Sequence, residues 1–349
     1  MVRAKNFCAV TSALLILVLS GCLAGEKAAP QTNLQAIDVF LSGRFNWKVS
    51  EPLVAPLQRA DDTTYSVKDP TIVYYDGRWH LFCTVRAEKR SHQIEYISFE
   101  SWKNVHKAQR SLLTVTEGYF CAPQVFYFEP DKKWYLIYQT SDKSRKPALK
   151  PAYSTTDDIS KPDSWSKPML LFDRHPDNVK MWIDFWVICD DIKAHLFFTS
   201  LDGKMWRAET ELENFPAGWS RPSVVLDDDI FEAGHTYHVK DTDRFLTVVE
   251  AQNQGRRYYK AYIADRLDGR WSPLAATEAK PFASPVNTNC SGACWTDSFS
   301  HGELIRDGFD QKLQIDCTNM GFLFQGVSDK DKEGKKYGRI PWRLGILRP

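Results

Sequence analysis

Beyond about residue 40 the apolar residues fall in short runs separated by polar turns. No stretch keeps a helical spacing for long, so the pattern predicts strands. One unit recurs: strand, polar turn, strand. Residues 69–75, the turn Asp76-Gly77-Arg78 and residues 79–84 form the first copy. Residues 122–128 and 134–138 flank the second turn, 184–189 and 194–198 the third, and 232–239 and 244–249 the fourth. A fifth copy reads as 301–306, the turn 307–310 and 311–315. A second marker trails the copies: Trp165-Ser166-Lys167-Pro168, Trp219-Ser220-Arg221-Pro222 and Trp271-Ser272-Pro273, with Trp102 in the matching place after the first. These tryptophans read as packing between repeats.

Five multi-stranded units at a period of about fifty to sixty residues predict an all-β fold, a five-bladed β-propeller. A β-sandwich is the alternative, but it supplies no reason for the period. In a propeller the first strand of each blade runs along the axis, and the residue opening it sits at the mouth of the axial funnel. That position reads Asp69, Ala122 or Pro123, Asp184, Glu232, and Ser300 or His301. Three carboxylates distant in sequence are thus expected in one funnel. Their mutual repulsion raises at least one pKa. Two carboxyl groups of opposite protonation are what glycoside hydrolysis needs, and a third can hold the acid protonated. The competing reading is that the acids cap strand ends or bind a cation.

Composition sharpens this. The chain has 349 residues, with 45 Lys+Arg against 44 Asp+Glu, formally +1. No basic surplus favours nucleic acid, and a neutral balance suits an uncharged polymer. Aromatic residues make up 13%, which favours strands and offers flat faces to sugar rings. Trp182 and Trp186 flank Asp184, and Tyr119 and Phe120 precede the second blade. The first residues read as an export signal: Arg3 and Lys5, an apolar stretch, then Leu19-Ser20-Gly21-Cys22. Residues 1–21 are expected to be a lipoprotein leader, and residues 22–39 a lipidated Cys22 with its tether. Residues 40–349 are then the propeller. An ordinary leader cut near Ala24 is the alternative. Either way the protein is exported, anchored to a membrane at most through Cys22. Disulfides are permitted in that setting. A bridge among Cys290, Cys294 and Cys317 is expected, with Cys83 and Cys189 as buried thiols. His235 and His238, close together on one strand, lack a third ligand and read as structural or near-site polar residues.

Residues from about 44 to the end resemble glycoside hydrolase family 62, the α-L-arabinofuranosidases that act on arabinoxylan. The resemblance rests on Lys68-Asp69-Pro70-Thr71, Ile183-Asp184, Ile230-Phe231-Glu232-Ala233, Val248-Val249-Glu250-Ala251, residues 300–307, Phe322-Leu323-Phe324-Gln325-Gly326 and Ile340-Pro341-Trp342-Arg343. It implies a five-bladed propeller and an inverting mechanism. Asp69 would be the general base, Glu232 the general acid, and Asp184 the residue tuning the acid. Lys68 would contact sugar hydroxyls. Trp182, Trp186 and Tyr337 are the aromatic residues expected at the substrate. The resemblance also implies an axial metal, usually calcium, with His301 in its shell, although a hard cation prefers oxygen ligands. Two departures stand out. The third blade reads Trp182-Ile183-Asp184-Phe185 where the family often has Pro-Ile-Asp-Gln. Tyr337 is followed by Gly338 where the family often has an Asn that binds the xylan chain. The substrate is therefore expected to be arabinoxylan or another arabinose-decorated plant polysaccharide. A related arabinanase or β-xylosidase, or a non-catalytic carbohydrate-binding propeller, is the alternative.

Overall fold

The computed structural model describes residues 33–144 and 146–349. The expected leader and Cys22 lie outside the described residues.

Each repeat folds as an antiparallel sheet, and the polar turns join its first two strands. Blade one comprises Thr64–Tyr75, Arg78–Ala87, Ser91–Phe99 and Gln109–Leu112. Blade two comprises Phe120–Phe128, Lys133–Ser141, Leu149–Thr156 and Met169–Leu170. Ile183–Cys189, Lys193–Thr199, Lys204–Glu211 and Ser223–Asp227 form blade three. Blade four has Glu232–Val239, Arg244–Asn253, Arg256–Ala264 and Ser272–Ala275. Its sheet is extended by the short strand Gln314–Ile315. The first strands of successive blades touch in a closed cycle, one to two and onward to five and back to one. The fold is therefore the all-β, five-bladed propeller that the repeat predicts.

Blade five is assembled from both ends of the chain. Ser298–Leu304, Phe322–Val327 and Arg343–Arg348 are joined by Trp47–Val49, which pairs antiparallel to Arg343–Arg348, and by Thr288–Cys290 outside it. This closes the ring and leaves fewer strand edges free. Residues 311–315 are not the second strand of blade five, as the repeat suggested. They continue a segment that crosses the axis at the end remote from the blade openings. Its carbonyls accept from Tyr127, Cys189 and His238 of blades two, three and four, through Phe309, Gln311 and Leu313 respectively. The short apolar spacing of Leu313 and Ile315 is that of a strand, and Gln314–Ile315 does form one, but it pairs with blade four rather than blade five.

The expected tether also ends sooner than residue 39. Asn33–Leu41 is a helix that buries Ala36, Ile37 and Phe40, spaced to share one face. Asn33 reaches Asp241, in the hairpin at the far end of blade four's first strand. The Trp-Ser tryptophans do pack between blades: Trp165 meets Phe82 edge-on at 5.7 Å and Trp271 meets Phe197 at 6.1 Å. Cys290 and Cys294 form the disulfide, while Cys317, Cys83 and Cys189 are free thiols.

Candidate active site

All five first strands break their ladder at the same level. The pairing shifts between Lys68 and Thr71, Cys121 and Gln124, Ile183 and Trp186, Glu232 and His235, and Ser300 and Gly302. Each bulge contains one residue with positive φ: Asp69 (48°), Ala122 (51°), Asp184 (57°), Ala233 (53°) and His301 (22°). Left-handed backbone excludes β-branched residues and tolerates Asp, His and small side chains. The bulge also takes the amide of that residue out of the ladder. In four blades a side chain on the second strand of the preceding blade accepts it. Thr84 accepts from Ala122 at 2.9 Å, Gln139 from Asp184 at 3.4 Å, Glu250 from His301 at 2.8 Å and Gln325 from Asp69 at 2.8 Å. At the fifth junction the corresponding Thr199 hydroxyl has no partner, and Asp184 Oδ2 accepts from the Ala233 amide at 3.0 Å instead.

The bulges bring Asp69, Asp184 and His301 together. His301 Nδ1 lies 3.3 Å from Asp69 Oδ1 and 3.8 Å from Asp184 Oδ2. Glu232 stands one residue before the left-handed position rather than on it, directly across the ladder from Glu250. Its neighbours follow from that shift. Arg257 lies 3.6 Å from Glu232 and 2.6 Å from Glu250. Glu250 also accepts from the Ser300 hydroxyl at 2.7 Å. Arg257, Glu250, Gln139 and Gln325 were not singled out for the site from sequence. Each lies on a second or third strand at the level of the bulges: Glu250 is opposite Glu232, Gln139 opposite Cys121 and Gln325 opposite Ser300, while Arg257 pairs with Gln252 on the second strand of blade four.

The electrostatics divide the three carboxyls. Burial alone would raise Asp69, but the Lys68 ammonium at 3.5 Å, His301 and the Thr84 hydroxyl hold it below the usual range. Burial, then the charges of Glu250 and Asp184, raise Glu232 well above it, against Arg257 and Lys68. Asp184 is raised by burial and by Asp69, with His301 opposing. One acid is thus disposed to stay ionised and another to stay protonated.

Two expectations for the aromatic residues are corrected. Trp182 and Trp186 are 0% and 1% exposed and offer no ring face to a sugar. Trp182 Nε1 donates to the Leu149 carbonyl, and Trp186 Nε1 to that of Thr236. Trp186 stacks on His235 at 4.1 Å. Trp186 lies on the first strand of blade three and Trp182 just before it, and both rings are packed inside the protein. Tyr337 is 50% exposed and stands at the mouth, with Lys68 at 5.5 Å and Arg257 at 5.9 Å from its ring. Lys68 itself is buried beside Asp69. Around His301 the donors are one imidazole and the two carboxylates it faces. Among the described residues no group of three or more His, Cys, Asp or Glu is arranged to hold a metal ion. A calcium ion there would draw most of its six to eight oxygen ligands from solvent. A cavity of about 590 Å³ beside Arg78, Tyr96 and Lys107 contains none of these groups and is not the site.

The chain is 38% identical over 316 residues to α-L-arabinofuranosidase C of Cellvibrio japonicus, covering 88% of this chain and 48% of that protein. It thus spans about half the length of that curated relative. It superposes on the catalytic domain of an arabinofuranosidase from Coprinopsis cinerea with TM-score 0.81 and 36% identity, covering 87% and 97% of the two chains. The Podospora anserina arabinofuranosidase solved with cellotriose gives TM-score 0.80 and 36% identity, over 87% and 96%. The profile of glycosyl hydrolase family 62 matches residues 46–348, the whole of the ring, and the chain belongs to that family.

Proposed function

We propose that this protein releases terminal α-L-arabinofuranosyl groups from arabinoxylan or a related polysaccharide by single displacement with inversion. What carries the reading is the placing of Asp69 against Lys68 and His301, which favours its ionised form, and of Glu232 across the ladder from Glu250, which favours its protonated form. Asp69 accepts a proton from water as the water oxygen bonds to the anomeric carbon. The glycosidic C–O bond breaks, and Glu232 gives its proton to the departing oxygen. Asp184 adds to the charge that keeps Glu232 protonated, and Lys68 donates to sugar hydroxyls. Tyr337 offers a ring to the polymer chain. Both carboxyls return to their starting states by proton exchange with solvent.

Asp69→Asn and Glu232→Gln are each expected to lower kcat by roughly 10²–10⁴-fold with the circular dichroism spectrum unchanged. Near-native turnover in either variant overturns the assignment. NMR of the first-formed sugar is expected to give the inverted anomer. Free arabinose from arabinoxylan, without oligosaccharides, separates this reading from an arabinanase or xylosidase. Binding without any release would leave a carbohydrate-binding propeller.

The same reading extends to the setting. Residues 1–21 serve as the export leader, and Cys22 carries the lipid that anchors the protein to a membrane. The helix at Asn33 lies beside the Asp241 hairpin, at the opposite end of the first strand from Glu232. A tether leaving there keeps the funnel turned toward the polymer. Calcium near His301 would act as a structural ion. Adding calcium after chelation is then expected to raise the Tm.

A further inference from the structure

Gly338 follows Tyr337 at the mouth, and the room its missing side chain leaves is taken by a guanidinium. A Cβ at Gly338 would lie 3.0 Å from Arg86 Nη2 and 3.1 Å from Nη1. Arg86 stands on the second strand of blade one, paired across the ladder with Ser66 and His92. It is two residues from Thr84, which faces Lys68. Among the described residues Arg86 has no ion pair, and its Nε is shut from solvent with no acceptor. A guanidinium nitrogen left in that state is costly.

The surroundings do not neutralise it. Arg339 lies over the same Tyr65 ring as Arg86, at 4.7 Å against 5.9 Å, and takes Glu88 at 3.0 Å. Lys336, exposed beside Tyr337, has no ion-pair partner among the described residues. The nearest acids of the funnel are already engaged: Asp69 by Lys68 and His301, Glu232 and Glu250 by Arg257. The acids sit deep at the blade openings, and uncompensated cations stand along the rim.

We propose that this rim binds a carboxylate on the polymer, with Arg86 as its principal contact. The preferred substrate is then an arabinose-decorated chain that also bears uronic acid groups. A planar fork of donors fits a carboxylate in two parallel hydrogen bonds, and a neutral hydroxyl would leave the positive charge uncompensated. The inference rests on the glycosidase reading above and adds a substrate class to it.

The test uses two arabinosylated xylo-oligosaccharides, one neutral and one carrying a single glucuronate. Binding to the full protein is measured by calorimetry, and arabinose release by kcat/KM. The glucuronate compound is expected to bind roughly tenfold tighter at low salt. That preference should shrink as the salt approaches 1 M, where the screening length falls to about 3 Å. Arg86→Gln should bring the affinity ratio toward one, and Arg86→Lys should keep part of it. Equal affinity for the two compounds in the wild-type protein overturns the proposal, as does a preference that survives in Arg86→Gln. If neither variant folds, the salt dependence of the wild-type ratio decides alone: a preference indifferent to salt overturns the proposal. A glucuronate preference in binding with no arabinose released from either compound would instead count against the glycosidase reading and leave the rim assignment standing.

Discussion

Glu250 illustrates how one residue off the first strands sets the chemistry of another. Its carboxylate accepts from the His301 amide and the Ser300 hydroxyl, pairs with Arg257, and lies across the ladder from Glu232. Its negative charge is the largest electrostatic cause raising Glu232, after burial. Replacing it with Gln keeps a carbonyl oxygen for the two donors and removes the charge. Arg257 is then free to turn toward Glu232. Both changes favour the ionised form of Glu232, so its pKa falls. A general acid works only while protonated, and kcat/KM declines as pH rises through its pKa. Glu250→Gln is therefore expected to move the alkaline limb of the pH–kcat/KM profile to lower pH. The acidic limb, which the proposed mechanism assigns to Asp69, should stay in place. An unmoved alkaline limb would deny Glu250 this role. A merely structural residue would lower the whole profile without displacing one limb.

At the scale of the strand, the repeated bulge explains both why the site forms and how much of it could be read beforehand. The repeat located the right level on all five first strands, because Asp69, Ala122, Asp184 and His301 each occupy the left-handed position there. It put Glu232 on that position too, whereas Ala233 occupies it and Glu232 precedes it. Alternation cannot register a one-residue bulge, since apolar residues follow on either side. It also misjudged Trp182 and Trp186, because nearness to Asp184 in sequence does not fix which way a ring turns. The side chains that cap the bulges were invisible for a different reason. They belong to neighbouring blades, 38 residues away for Thr84 and 256 for Gln325. The caps give a paired test. Thr84→Val leaves the buried Ala122 amide without an acceptor and should cost about 1–3 kcal/mol of stability. Thr199→Val removes a buried hydroxyl that has no partner and should be neutral or slightly stabilising. Denaturant unfolding of the two variants measures the difference, and equal losses would show that the caps do not hold the bulges.

For the whole molecule the question is what keeps a ring of five sheets closed. Four blades take their four main strands from continuous chain and were legible as repeats. The fifth was not, because it borrows Trp47–Val49 from the opposite end and puts residues 305–316 across the axis before its second strand begins. No local pattern announces a partner some three hundred residues away in the same sheet. Within that closure Trp47 is the most deeply packed side chain of the borrowed strand. Trp47 is 1% exposed, stacks on Phe45, meets Phe282 edge-on at 5.3 Å and donates Nε1 to the Phe282 carbonyl at 2.6 Å. It anchors a strand of only three residues between Arg343–Arg348 and Thr288–Cys290. Trp47→Ala removes that anchor and opens a cavity, at a cost of about 3–5 kcal/mol. The blades share one continuous circuit of first-strand contacts, so the loss should lower the Tm of a single transition rather than release blade five alone. Calorimetry checks both parts. A cost below about 1 kcal/mol would mean that the strands from the C-terminal half close the ring unaided. Two separate transitions would mean that the circuit is not one cooperative unit.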